Sequence, residues 1–160
     1  MKLMQTNKWG SETWMSLHCI TFNAPDIITQ DKQNNYINYF TVLKELLPCK
    51  YCRFSYKVFL HFLPIQRYID CKMGLTYWLY TIHNLVNIKL QKQTVSFIDV
   101  VVKYENMKAT DSTKIDNIHK YVDDTHTKYK LMTVNLLKRL YSVLKEYNYN
   151  FEKICTKYSL

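Results

Sequence analysis

Cys49 and Cys52 stand three positions apart in the run Pro48-Cys49-Lys50-Tyr51-Cys52, a spacing that suits the first turn of a helix. A proline at that point needs no N–H and stops any helix running into it. Free backbone N–H groups and the positive end of the helix dipole favour thiolate over thiol, so such a pair is reactive. Two chemistries use it: a dithiol that cycles with its disulfide, or half of a zinc site. For zinc, Cys49, Cys52, His61 and Cys71 have the right ligand types, and a basic zinc module would suit nucleic acid. Their gaps, CxxC-x8-H-x9-C, match no defensible zinc pattern. A thioredoxin-like exchange protein needs a βαβ pattern around the CxxC, and none surrounds this one.

A second set of polar residues lies downstream. Leu75, Trp78/Leu79, Ile82 and Val86 form an apolar helical stripe, with Tyr80, His83/Asn84 and Asn87 as a polar stripe beside it. Asparagine is a poor helix former, and two in mid-helix point either to a solvated face or to something specific that uses them.

These residues need helices to position them. Two glycines and three prolines in 160 residues leave few breaks, which argues for helices over a sheet with many turns. The same scarcity excludes a GxGxxG phosphate loop, so any nucleotide cofactor must be held some other way. Trp9-Gly10-Ser11-Glu12-Thr13-Trp14 opens a first helix, capped by Ser11 or Thr13, with Trp14, Leu17 and His18 on one face; Asn23 to Asp26 ends it. An amphipathic helix over Tyr36–Leu47 runs into Pro48. The CxxC helix starts at Cys49 and carries Phe54, Val58, Phe59 and Phe62 inward until Pro64. The stripe at 75–86 makes a fourth helix. Val95–Tyr104 makes a short fifth, with strand as the rival for Val100-Val101-Val102.

After Asn106 the composition turns to Asp, Thr, Lys and Asn, a linker or weak helix as far as Thr127. Leu131, Val134, Leu137/Lys138, Tyr141 and Leu144 then set up an amphipathic helix that ends near Asn148. One helix cannot bury its own apolar face, so this is a tail module and not a second domain.

The formal charge is +9, but the lysines are scattered and no run of five like charges occurs, so the surface reads as basic and solvated and argues against nucleic acid. No stretch reaches the roughly 18 apolar residues of a membrane span, and the N-terminus lacks an apolar core; the expectation is a soluble, intracellular protein. Five cysteines are an odd set and do not form a fully paired secretory framework. Cys19 is expected as a small buried hydrophobe and His61 as a surface or satisfied histidine.

Taken together, Trp9-Gly10, Trp14, Leu17-His18, Pro48-Cys49-Lys50-Tyr51-Cys52, Trp78 and the run His83-Asn84-Leu85-Val86-Asn87-Ile88-Lys89-Leu90-Gln91-Lys92 resemble the Erv/ALR family of FAD-dependent sulfhydryl oxidases, most closely the forms of large DNA viruses. The resemblance implies an all-α fold, a four-helix bundle with a short fifth helix, here with a C-terminal helical extension. It divides the chain into an FAD-binding sulfhydryl oxidase domain over 1–105 and a linker and tail over 106–160. It implies noncovalent FAD contacted by Gly10, Trp14, His18, His83, Asn84, Asn87, Lys89 and Lys92, with Tyr104 where the family has a tryptophan. It makes Cys49 the outer sulfur, attacked by thiols of protein substrates, and Cys52 the inner one facing the flavin, with electrons passing to molecular oxygen to give peroxide. It also implies a homodimer, no membrane and no metal, and for a viral member an action on virion or assembly proteins in the host cytoplasm.

Two departures stand out. Ser11 occupies the place of an arginine common in the family, and Tyr80 and Phe97 fall where many cellular members have a structural disulfide. The fifth helix must then be held by packing, with Phe97 the candidate. The family's extra shuttle pair also has no counterpart: Cys155 is the one cysteine outside the core, and a lone thiol cannot relay two electrons. The tail is expected to serve packing or partner binding.

Overall fold

The computed structural model describes residues 4–108 and 117–160. Its helices are α1 (Thr6–Phe22), α2 (Gln30–Leu46), α3 (Lys50–Phe62), α4 (Lys72–Lys89), α5 (Phe97–Glu105), α6 (Ile118–Glu146) and α7 (Phe151–Tyr158), with a 3-10 turn at Ile65–Arg67. Among the described residues there is no strand, only an antiparallel bridge between Ile27 and Cys71. The expected four helices and short fifth are present, followed by two helices of the extension.

Sequence periodicity places the helices better than it places their starts. α1 begins at Thr6, so Ser11 and Thr13 lie inside the helix, and the cap position, Gln5, makes no side-chain cap bond. α2 begins six residues before Tyr36, because the polar run Gln30 to Asn35 forms a solvated first turn. There the Gln33 side chain donates to the Ile28 carbonyl at 2.8 Å, and Asp31 complements the helix dipole. Ser96 caps α5 through its hydroxyl to the Asp99 N–H, so helix and not strand forms there. Cys19 is exposed. It lies on the face of Met15, opposite buried Leu17, His18 and Thr21, which corrects the buried expectation.

The core is centred on α4. Leu75, Trp78, Leu79 and Ile82 are fully buried, and the Trp78 indole donates to the Leu63 carbonyl at 2.9 Å. From α3, Val58, Phe59 and Phe62 are buried as expected, while Phe54 is only partly so. Phe97 starts α5 with 2% exposure, edge-on to Tyr77 and tilted against Tyr80.

The extension packs on this bundle. The weak passage expected up to Thr127 is already helical from Ile118, while 109–116 lie outside the described residues. The buried face of α6 is Val122, Thr125, Tyr129, Thr133, Leu140 and Leu144, whereas Leu131 is 75% exposed and Val134 also faces outward. The expected stripe holds in its second half, where Leu144 is buried and Leu137 and Tyr141 pack against the core; hydropathy misplaces its first half, because Tyr129 and Thr133 are buried through hydrogen bonds. Tyr129 donates to Asp70, and Thr133 pairs with the Tyr68 hydroxyl at 2.8 Å. Gly74 makes this approach feasible, since a Cβ there would stand 2.1 Å from the Tyr68 carbonyl and 2.5 Å from the Tyr129 hydroxyl.

Candidate active site

Leu47 and Pro48 end the α2 connection, and Cys49 becomes the N-cap of α3, its sulfur accepting the Cys52 N–H at 3.2 Å. Both cysteines are partly buried thiols. Burial opposes a charge on Cys49. Hydrogen bonds from the Cys52 side chain and from the backbone N–H groups of Cys52 and Tyr51, with the charge of Lys89, outweigh it and hold the Cys49 thiol below its ordinary value. Cys52 goes the other way. Burial and its neighbour Cys49 push it up to about 11, opposed by Lys89 and by the Thr6 hydroxyl. A single proton therefore leaves this pair from Cys49 first.

Lys89, in the last turn of α4, reaches across to this turn. Its ammonium donates to the Tyr51 carbonyl at 3.1 Å and to Ser55 Oγ at 2.9 Å. Ser55 Oγ in turn donates to the Cys52 carbonyl at 3.1 Å. Burial lowers the Lys89 pKa while the two cysteines work to keep it charged. Sequence reasoning set Lys89 among cofactor contacts; the structure ties it to the cysteine turn.

A second cluster forms where α1, α4 and α5 meet. His18 Nε2 and His83 Nδ1 are 3.0 Å apart. Trp14 stacks flat on His83, centroids 4.1 Å apart, and Tyr104 lies against His18 at 4.8 Å. Burial, reinforced by neighbouring positive charge, brings His18 down to about 3 and His83 to about 4, so both rings are neutral at ordinary pH and one donates to the other. Lys103 acts on both histidines and Lys92 on His83.

The two clusters are joined by one face of α1. Thr6, Gly10, Trp14 and His18 follow at steps of four, from the neighbour of Cys52 to the partner of His83. Gly10 sits mid-way. Beyond its own helix backbone, a Cβ there would meet only the Thr6 methyl, at 3.5 Å, so this packing does not itself require a glycine. His18 Nδ1 is buried with no partner, a group that costs free energy unless a ligand satisfies it. Flat aromatic rings, an unpartnered imidazole nitrogen and nearby lysines fit a large, flat, anionic cofactor.

Not every predicted contact lies in this cluster. Asn84 is engaged with the Val95 backbone in both directions, at 2.9 and 3.1 Å, and Asn87 donates to Asn84 at 3.5 Å. These asparagines pin the α4–α5 connection, and the Lys92 N–H caps the Asn87 carbonyl at 2.8 Å. Sequence reasoning missed Thr6, Ser55 and Lys103; the step of four from Thr6 to Gly10 was the available signal for the first.

The zinc candidates do not gather. Cys71 caps α4, 3.4 Å from the Tyr129 hydroxyl, and His61 is exposed near the far end of α3 beside Tyr158. Among the described residues no three His, Cys, Asp or Glu side chains come together as a metal site.

The model of the Erv1 / Alr family matches residues 11–108. A probable FAD-linked sulfhydryl oxidase of Acanthamoeba polyphaga mimivirus is 25% identical over 103 residues, 64% of this chain and 72% of that protein. An FAD-linked sulfhydryl oxidase of African swine fever virus is 27% identical over 97 residues, 61% of this chain and 80% of that one. The Oryza sativa FAD-linked sulfhydryl oxidase ERV1 is 32% identical over 83 residues, and the chain spans 42% of its length. The crystal structure of the FAD binding domain of Erv1 from Saccharomyces cerevisiae superposes with a TM-score of 0.62 at 19% identity, covering 66% of this chain and 99% of that one, and shows the fold to be shared.

Proposed function

The chain belongs to the Erv1/Alr family, and on that premise we propose that it is an FAD-linked sulfhydryl oxidase that forms disulfide bonds in protein substrates through Cys49 and Cys52. The observation that carries this reading is the buried, unpartnered Nδ1 of His18, on the α1 face whose other end, Thr6, lies beside Cys52.

With Cys49 and Cys52 joined as a disulfide, a substrate thiolate attacks the Cys49 sulfur, at the solvent edge beside exposed Lys50 and Tyr51. The new S–S bond joins substrate to Cys49, and Cys52 leaves as a thiolate, which burial and Cys49 oppose and which Lys89 and the Thr6 hydroxyl ease only in part. A second substrate thiolate attacks the substrate sulfur of that mixed disulfide. Cys49 then departs as a thiolate, the better leaving group because its pKa is held down. Two thiols become one disulfide, and the pair holds two electrons.

Trp14, His18, His83 and Tyr104 supply flat surfaces and ring nitrogens for the cofactor, and Lys92 and Lys103 supply charge for its phosphates. When bound, FAD supplies the two-electron acceptor for the pair and delivers the electrons to molecular oxygen, giving hydrogen peroxide. A homodimer suits the outer face of α2, where Tyr39, Val42 and Leu46 stand exposed at helical spacing. The setting proposed for this chain is the host cytoplasm or the virion. No helix among the described residues is long and apolar enough to cross a membrane.

Oxygen uptake with dithiothreitol tests the reading. The intact protein should consume oxygen, and Cys49→Ser and Cys52→Ser should each fall to background. Undiminished uptake by either variant would overturn the assignment of the pair.

A further inference from the structure

Lys89 has a third neighbour, and it comes from the tail. α6 and α7 are joined by a tight turn in which Asn148 and Tyr149, neither of them glycine, are left-handed at φ 49° and 58°. The Tyr149 N–H there closes on the Leu144 carbonyl at 2.7 Å. Such residues persist only where surrounding contacts determine them. They turn α7 back onto α3, where Ile154 and Cys155 are buried and Phe59 meets Phe151 edge-on at 5.6 Å. The Phe151 ring thereby comes to lie under the Lys89 ammonium, 5.2 Å from its centroid, within the reach of a cation–π contact.

We propose that Phe151, in the tail helix beyond residue 108, is a positioning residue of the redox centre: its ring face seats the Lys89 ammonium against the first turn of α3, beside Cys49 and Cys52. This rests on the reading of that pair as the redox couple. Two hydrogen bonds anchor Lys89 to Tyr51 and Ser55, and the Phe151 ring adds a third contact from the tail. The charged and titratable groups facing the cysteines are each other and Lys89 from α4, with the Thr6 hydroxyl from α1. Lys50 stands next to Cys49 on α3 and is paired with Glu152 of α7 at 3.7 Å. The tail is therefore part of the electrostatics of the site, and a helix that looks like an appendage in the sequence tunes the thiolates.

The test is the pH profile of iodoacetamide alkylation at Cys49 in the reduced full-length holoprotein under nitrogen, with the modified peptides resolved by mass spectrometry. Phe151→Leu, which keeps an apolar side chain but removes the ring, should move the midpoint up by roughly half a pH unit. Phe151→Trp should leave it in place. Trifluorophenylalanine at 151, nearly isosteric but with a weakened ring face, should reproduce the leucine shift, and it decides the matter should Phe151→Leu fail to fold. In a Lys89→Met background, the Phe151 changes should move nothing further. A midpoint that ignores the ring's electronics, or a shift that persists without Lys89, overturns the proposal. The profile needs no turnover, so a protein without oxidase activity would sink the functional reading while leaving this one to be judged on its own data.

Discussion

The rings of Tyr80 and Phe97 meet with centroids 5.1 Å apart and planes 49° to each other, joining the middle of α4 to the first residue of α5. These are the two positions at which the resemblance to many cellular members of the family would set a structural disulfide, and neither is a cysteine. Here Tyr77 and His126 complete an aromatic cluster around Phe97. A crosslink would restrict the unfolded chain; the buried area that holds α5 here acts on the folded state. Phe97→Ala should cost about 3–5 kcal/mol in urea unfolding. A loss below about 1 kcal/mol would mean that α5 is held by something else.

The histidine pair should give the fold a mild-acid weakness. In the unfolded chain each imidazole binds a proton near 6.5, but in the folded protein only near 3 and 4. Between those values the unfolded state holds more protons. Stability is therefore complete above about 6.5 and falls as the pH drops, by up to roughly 1.4 kcal/mol per pH unit for each histidine. His126, also lowered by burial, adds in the same direction. Asp26, held low chiefly by the Lys72 hydrogen bond, and Asp70, held low against burial by Lys128 and Tyr129, lose their contribution only as the pH falls below the ordinary 3.8, outside this window. Urea unfolding from neutral pH down to about 4.5 should show the decline, and His83→Asn should flatten it. An unchanged slope in that variant would contradict the assignment.

Cys155 is buried at 5% exposure, with its thiol 3.5 Å from the Phe54 carbonyl, and burial raises its pKa above the ordinary value. A shuttle thiol needs exposure and thiolate character, and this one has neither. Cys155→Ser should oxidise a reduced protein substrate as fast as the unchanged protein. Loss of that activity with dithiothreitol oxidation spared would make the tail a relay.

Much of this was legible in the sequence because chemistry and periodicity agreed. The CxxC at a helix start and the α4 stripe need only helical spacing to be placed, whereas the grouping of Trp14 and His18 with His83 was implied by the family resemblance. The long-range choices were not legible. Nothing local says that Asn84 would spend both polar atoms on Val95, or that Lys89 would turn to Ser55 and away from the histidines. The tail misled for another reason. Leu131 and Val134 fit an apolar stripe, yet α6 turns Tyr129 and Thr133 inward, because Asp70 and Tyr68 offer hydrogen bonds and Gly74 leaves room. Hydropathy does not register a buried hydroxyl that has found its partner.

The central claim is that electrons pass from the Cys49–Cys52 pair to a flavin held along the α1 face. The most direct measurement is the visible spectrum of the purified protein during anaerobic titration with dithiothreitol. The account predicts a yellow protein whose colour is released into the supernatant on denaturation, and whose flavin band bleaches on adding the dithiol and returns with air. Cys49→Ser and Cys52→Ser should keep the band and fail to bleach. A colourless protein, or a flavin that bleaches equally without either cysteine, would contradict it.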